Sequence, residues 1–124
     1  MPKILVVDDE ERIADILEKY LSRNEFEVIK AIGGEEAIKI LNSGAKPDLM
    51  LLDIKMPKVN GMHVIRVVKE LGKEFPIVLL TGSIDAQIYL DELKKSEFSE
   101  EDILYKPVDL PVLLEKVKEK LGIA

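Results

Sequence analysis

Five side chains in this sequence have types and spacings suited to joint chemistry: Asp8, Asp9, Asp53, Thr81 and Lys106. Asp8-Asp9 follow the apolar run at 4–7, Asp53 follows the run at 49–52, Thr81-Gly82 follow the run at 77–80, and Lys106-Pro107 follow the short segment at 102–105. Three carboxylates brought within a few ångströms repel one another, so such a site needs a cation or raised pKa values. With oxygen the only ligand type on offer, the fitting ion is a hard one, and Mg²⁺ suits a partly hydrated site of this kind. Lys106 adds a mobile positive charge suited to phosphate. A metal, a lysine and a hydroxyl around one aspartate make a phosphoryl-transfer constellation, with Asp53 as the candidate nucleophile. The chain has no cysteine and a single histidine, His63. Disulfides, thiolate metal sites, thiol catalysis and a multi-histidine metal centre are therefore excluded.

Such a site needs elements that bring four strand ends together. The runs at 4–7, 49–52 and 77–80 are continuous and free of charge, the pattern of strands covered on both faces in a parallel sheet. Segments 26–32 and 102–105 are weaker strands. Helical spacing appears at Ile13, Ile16, Leu17, Tyr20 and Leu21, with Asp9 as the expected N-cap. Further helices are expected around Ala37, Ile38 and Leu41, stopped by Asn42-Ser43-Gly44, and around Val64, Ile65, Val68 and Leu71, between Gly61 and Gly72. Another is expected over 83–95, and the last runs from Leu110 to Leu121, closed by Gly122. Strands alternating with helices predict an α/β fold: a doubly wound, three-layer (βα)5 domain with right-handed crossovers. In such a sheet ligands bind outside the carboxyl ends of the strands, where the five candidate residues fall.

The 124 residues fit one domain, 1–124, and the apolar fraction of 47% against 34% charged is that of a globular chain. The net charge of −6 is spread without a basic patch, which argues against direct nucleic-acid binding. The apolar run at 4–7 is followed by four acidic residues and is too short for a signal peptide or membrane span. A soluble, cytoplasmic protein is expected.

The segments VVDDEERI at 6–13, LLDIKMPKVNG at 51–61, LLTG at 79–82 and LYKPV at 104–108 occur in this order over essentially the whole length. Through them the chain resembles the receiver domains of two-component response regulators. The resemblance implies a flavodoxin-like sheet of order 2-1-3-4-5, since alternation alone does not set strand neighbours. It implies that Asp53 is the phosphoacceptor for a kinase phosphohistidine, and that Asp8 and Asp9 hold Mg²⁺ with Asp53 and the backbone carbonyl of Lys55. Thr81 then meets a phosphoryl oxygen, and Lys106 pairs with the phosphate and precedes a cis Lys106–Pro107 bond. Met56-Pro57 and Asn60-Gly61 match the loop and turn after the acceptor strand. Implied partners are a sensor histidine kinase or histidine phosphotransfer domain and a downstream target protein.

Two positions depart from the family pattern. Ile103 stands where an aromatic residue is usual, with Tyr105 on the same strand face. Ser99-Glu100 replace a small Gly-Ala pair. A stiff β-branched Ile103 is expected to stay packed in one rotamer rather than swing between core and solvent. His63 has no partner motif, Asp48 reads as a turn residue, Glu97 and Glu100-Glu101-Asp102 as solvated loop charge, and the stripe from Leu110 to Leu121 as core. Two other functions share part of this pattern. A flavin electron carrier shares the strand order, but its phosphate needs a hydroxyl- and glycine-rich loop where this chain has Asp8-Asp9-Glu10-Glu11. A degenerate receiver used only for binding would not need the acceptor, acidic pair, threonine and lysine together.

Overall fold

The computed structural model describes residues 1–56 and 58–124, with side chains at 83–86 and 90 left out of the description. Pro57, part of the loop matched above, lies outside the described residues. Five strands, β1 (Lys3–Asp8), β2 (Glu27–Ile32), β3 (Leu49–Asp53), β4 (Ile77–Thr81) and β5 (Ile103–Tyr105), alternate with five helices. These are α1 (Glu11–Arg23), α2 (Gly34–Asn42), α3 (Gly61–Glu70), α4 (Ser83–Lys95) and α5 (Leu110–Leu121). The sheet order is β2-β1-β3-β4-β5 and every pairing is parallel, as expected from the resemblance.

Alternation of side chains explains why the central strands read as unbroken apolar runs. Leu5, Val7, Met50, Leu52 and Leu79 face one layer, packed with Ala37, Leu41, Val64, Ile65 and Leu93. Their neighbours Ile4, Val6, Leu49, Leu51, Val78 and Leu80 face the other, against Leu17, Leu21, Leu113 and Val117. Both faces are dry, so neither set can be polar. The edge strands β2 and β5 are only partly covered, which is why their patterns are weaker. Among the described residues, no helix is long and apolar enough to cross a membrane.

Two local expectations, at Gly122 and Asp48, are met and two are corrected, and an N-cap with no expectation attached stands at Asn60. Asn60 caps α3 by accepting from the His63 backbone N–H at 3.2 Å. Gly122 ends α5 with φ of 70°, a left-handed conformation that favours glycine. Asp48 joins the turn before β3, its carboxylate accepting from the Lys3 N–H at 2.7 Å. Asp9, however, is not the N-cap of α1. That position is Glu10, without a side-chain cap, and the Glu10 N–H donates to Asp8 Oδ1 at 2.9 Å. Nor is Asp102 simply solvated loop charge. It closes a capping box with Ser99 around a short 3₁₀ turn, Glu100–Asp102, and forms an ion pair with Lys120 of α5.

Candidate functional site

The parallel register brings the candidate residues to one rim. Val7 pairs with Leu52, so Asp8 and Asp53, one step further along β1 and β3, end adjacent strands. Asp53 is in register with Leu80, and Thr81 with Tyr105. The Lys106 N–H then donates to the Thr81 carbonyl at 2.8 Å, fixing the lysine at the end of β5 beside β4. The Lys106–Pro107 peptide is cis, as the resemblance implies.

Asp8 is fully buried, Asp53 is 4% exposed and Thr81 1%. Lys106 Nζ reaches both acids, 3.3 Å from Asp53 Oδ2 and 3.4 Å from Asp8 Oδ2. The Thr81 hydroxyl donates to the Gly82 carbonyl at 3.2 Å. Asp9 is partly exposed, and Asp8, Asp9 and Asp53 each offer a carboxylate oxygen, all within 4.8 Å of one another. A cleft of about 490 Å³ opens above them, walled by Asp9, Glu10, Asp53, Lys55, Gly82 and Lys106.

One lysine does not neutralise three acids. Burial pushes the Asp53 carboxyl up to about 7; the Lys106 charge opposes the shift, and the Asp8 charge and a side-chain hydrogen bond with Asp9 add to it. Burial also raises Asp8, against the Glu10 N–H and Lys106, which favour its charged form. Burial works against the Lys106 ammonium, but the Asp53 and Asp8 carboxylates outweigh it and lift its pKa above the usual lysine value. The site holds excess negative charge in oxygen donors alone, which is the donor set of a hard divalent cation, and its residues fit Mg²⁺. An anionic flavin phosphate would be repelled by this excess of like charge.

All six residues named from the sequence are at this rim: Asp8, Asp9, Asp53, Thr81 and Lys106 converge, and Lys55 stands in the cleft wall. Sequence reasoning missed the second role of Glu10, which walls the cleft and holds Asp8 through its backbone. The run of four acids at 8–11 carried that signal without resolving which of them does what. Ile103 is 5% exposed and packed in the same core cluster as Val64, Ile65 and Leu93. His63 is exposed and takes part in α3 capping through its backbone alone.

The family model for the response regulator receiver domain matches residues 4–118. Among curated proteins, the alkaline phosphatase synthesis transcriptional regulatory protein PhoP of Bacillus subtilis (strain 168) is 39% identical over 105 residues, which cover 85% of this chain and 42% of PhoP. The chain thus spans about two fifths of that relative's length. A response regulator receiver domain protein from Clostridium thermocellum superposes with a TM-score of 0.84 at 28% identity, covering 98% of this chain and 95% of the other. The chemotaxis protein CheY4 of Vibrio cholerae does so with a TM-score of 0.82 at 27% identity, covering 97% and 98%.

Proposed function

The chain belongs to the response regulator receiver family, and from that premise we propose that it is a cytoplasmic, Mg²⁺-dependent phosphoacceptor in which residues 1–124 act as one receiver domain and Asp53 takes the phosphoryl group from a phosphohistidine. The observation that carries this reading is the buried Asp53 carboxylate, 3.3 Å from Lys106 and within reach of two further acids.

In the transfer, a carboxylate oxygen of Asp53 bonds to phosphorus as the P–N bond to the donor's imidazole breaks. The electron pair goes to the imidazole nitrogen, which takes up a proton. Asp8 and Asp9 would hold the cation with Asp53 and the Lys55 carbonyl, and Mg²⁺ bound there would supply positive charge to the phosphoryl oxygens. Lys106 lies against the carboxylates before transfer and moves to a phosphoryl oxygen after it, leaving one ion pair for another. Thr81 gives up its bond to the Gly82 carbonyl and donates to a second phosphoryl oxygen. A pure binding module would leave this convergence without a purpose. Incubation with acetyl phosphate and Mg²⁺ should add one acid-stable, base-labile phosphoryl group. Labelling that persists in excess chelator would contradict the assignment.

The phosphodonor must reach Asp53 from the rim, and the surface beside Lys106 is apolar. Ile13, Ile16 and Leu17 of α1, with Pro107, Val108 and Leu110, line a groove of about 530 Å³, and Ile16 is 46% exposed. We place the helices of the histidine kinase or phosphotransfer domain there, with the downstream target protein engaged elsewhere. Ile16→Asp should slow transfer from a phosphohistidine protein by about tenfold or more, as a charge set in a desolvated contact does, while labelling by acetyl phosphate stays unchanged. Equal slowing with both donors would place the defect in the acceptor site instead.

A further inference from the structure

The loop between β3 and α3 carries one wall of the cleft, and it is seated on two glycines. Gly61 holds its ends together: its N–H donates to the Ile54 carbonyl at 2.7 Å, and a Cβ there would stand 2.7 Å from Ile54 Cα and 2.9 Å from the Asp53 carbonyl oxygen. The second contact comes from a distant part of the chain. Gly34 is the first residue of α2 and is buried. A Cβ on it would lie 2.5 Å from the Val59 carbonyl oxygen, 2.7 Å from Val59 Cγ1 and 2.9 Å from Val59 Cβ. Carbon atoms pack at about 3.5–4.0 Å, so all three approaches are too close to coexist with a side chain.

Conformation does not ask for glycine at this position. Gly33, with φ of 97°, takes the turn's left-handed residue, whereas Gly34 is already helical. By intrinsic propensity alone, alanine is the better helix former. What glycine provides at 34 is room, and what uses the room is the backbone of the acceptor loop. Because the loop is tied at Ile54–Gly61, a push at Val59 passes into the residues between, Lys55 among them. Lys58, next to Val59, already sits at φ of 65°, a left-handed conformation unusual for a residue with a side chain.

We infer that Gly34 is a positioning residue for the acceptor site: by lacking a side chain it lets Val59 seat against α2, and that seat sets where the Lys55 wall of the cleft stands. The inference rests on reading the cleft as the Mg²⁺-dependent acceptor site. Its range of effect follows from how metal sites respond to their supports, where losing an outer partner costs about 10–100-fold in affinity.

The test is Mg²⁺ binding by isothermal titration at pH 8, well below the unfolding temperature, on wild type, Gly34→Ala and Val59→Ala, with hydrogen exchange of the loop amides followed in parallel. Gly34→Ala should remain folded by circular dichroism, bind Mg²⁺ about tenfold more weakly, and exchange the Lys55 amide faster. Val59→Ala removes two methyl groups from the seat without inserting bulk, and should weaken binding less. A folded Gly34→Ala with wild-type affinity and exchange overturns the inference, because a purely structural glycine would change stability and leave both alone. If Gly34→Ala does not fold, Val59→Ala decides, and unchanged affinity and loop exchange there overturn it. Wild-type protein that binds no Mg²⁺ overturns the reading of the cleft itself and the inference with it.

Discussion

Asp53→Asn is expected to bring acyl phosphate formation from acetyl phosphate down to background, a loss on the order of 10³-fold or more, as removal of a nucleophile does. The substitution keeps shape and removes the charge, so the fold should stand. The neighbouring acids are poor substitutes. Asp8 is fully buried, with Oδ1 taken by the Glu10 N–H and Oδ2 beside Lys106. Asp9 is partly exposed, ends no strand, and is proposed to spend its charge on the cation. Because the variant also lowers the negative charge that holds Mg²⁺, the comparison belongs at saturating Mg²⁺, so that weaker metal binding is not mistaken for a lost acceptor. Intact mass should show one phosphoryl group on wild type and none on Asp53→Asn. Undiminished incorporation would move the acceptor to another residue and undo the proposed roles of Thr81 and Lys106 with it.

The parts of the fold that could be read from the sequence are those where burial left no chemical choice. Strands β1, β3 and β4 are covered on both faces, so their residues had to be apolar throughout, and the polar residue that ends each run marks the rim. Strand β5 has three residues, of which Ile103 alone is buried; Tyr105 is 46% exposed, and the pattern there is correspondingly thin. The start of α1 was misread for a reason local to the site. Four acids in a row all suit a helix N-terminus, and only three-dimensional structure tells which backbone N–H each carboxylate meets. Here Asp8 takes the Glu10 N–H from within the strand end, and Glu10, at the cap position, makes no side-chain cap. The Ser99–Asp102 capping box did have a signal, a serine followed three residues later by an acid. Reading the acids there as one solvated group hid it. Its partner Lys120, 18 residues further on, has no local signature.

The candidate site was legible as a set of residues and not as an arrangement. Strand ends predicted which side chains share a rim. They did not predict that Lys106 would lie between two carboxylates at nearly equal distances. Nor does any motif show that residue 34 meets residue 59, because that contact depends on how closely one helix approaches one loop.

The unbalanced acids also make a prediction about stability. The ordinary aspartate value is 3.8, and Asp53 in the fold stands at about 7, chiefly through burial. Between those values the folded, metal-free chain binds more protons than the unfolded one, so stability must fall as pH rises through the window. The contribution is fully present below about pH 4 and lost by about pH 8. At 1.36 kcal/mol per unit it amounts to about 4 kcal/mol, and Asp8, raised in the same direction, adds to it. The other shifted groups do not interfere: Asp102, at the opposite end of β5, is lowered and acts below the ordinary aspartate value, while Lys30 and Lys106 are raised and act in the alkaline range. Urea unfolding followed by circular dichroism, in chelator, should therefore show the wild-type midpoint falling from pH 5 to pH 8. Asp53→Asn should flatten most of that slope and be the more stable protein at pH 8 by about 2–4 kcal/mol. Excess Mg²⁺, which binds the folded form, should recover the wild-type loss at pH 8 and do little for the variant. Parallel slopes for the two proteins would mean that Asp53 is charged throughout, and that the lysine alone suffices to hold it so.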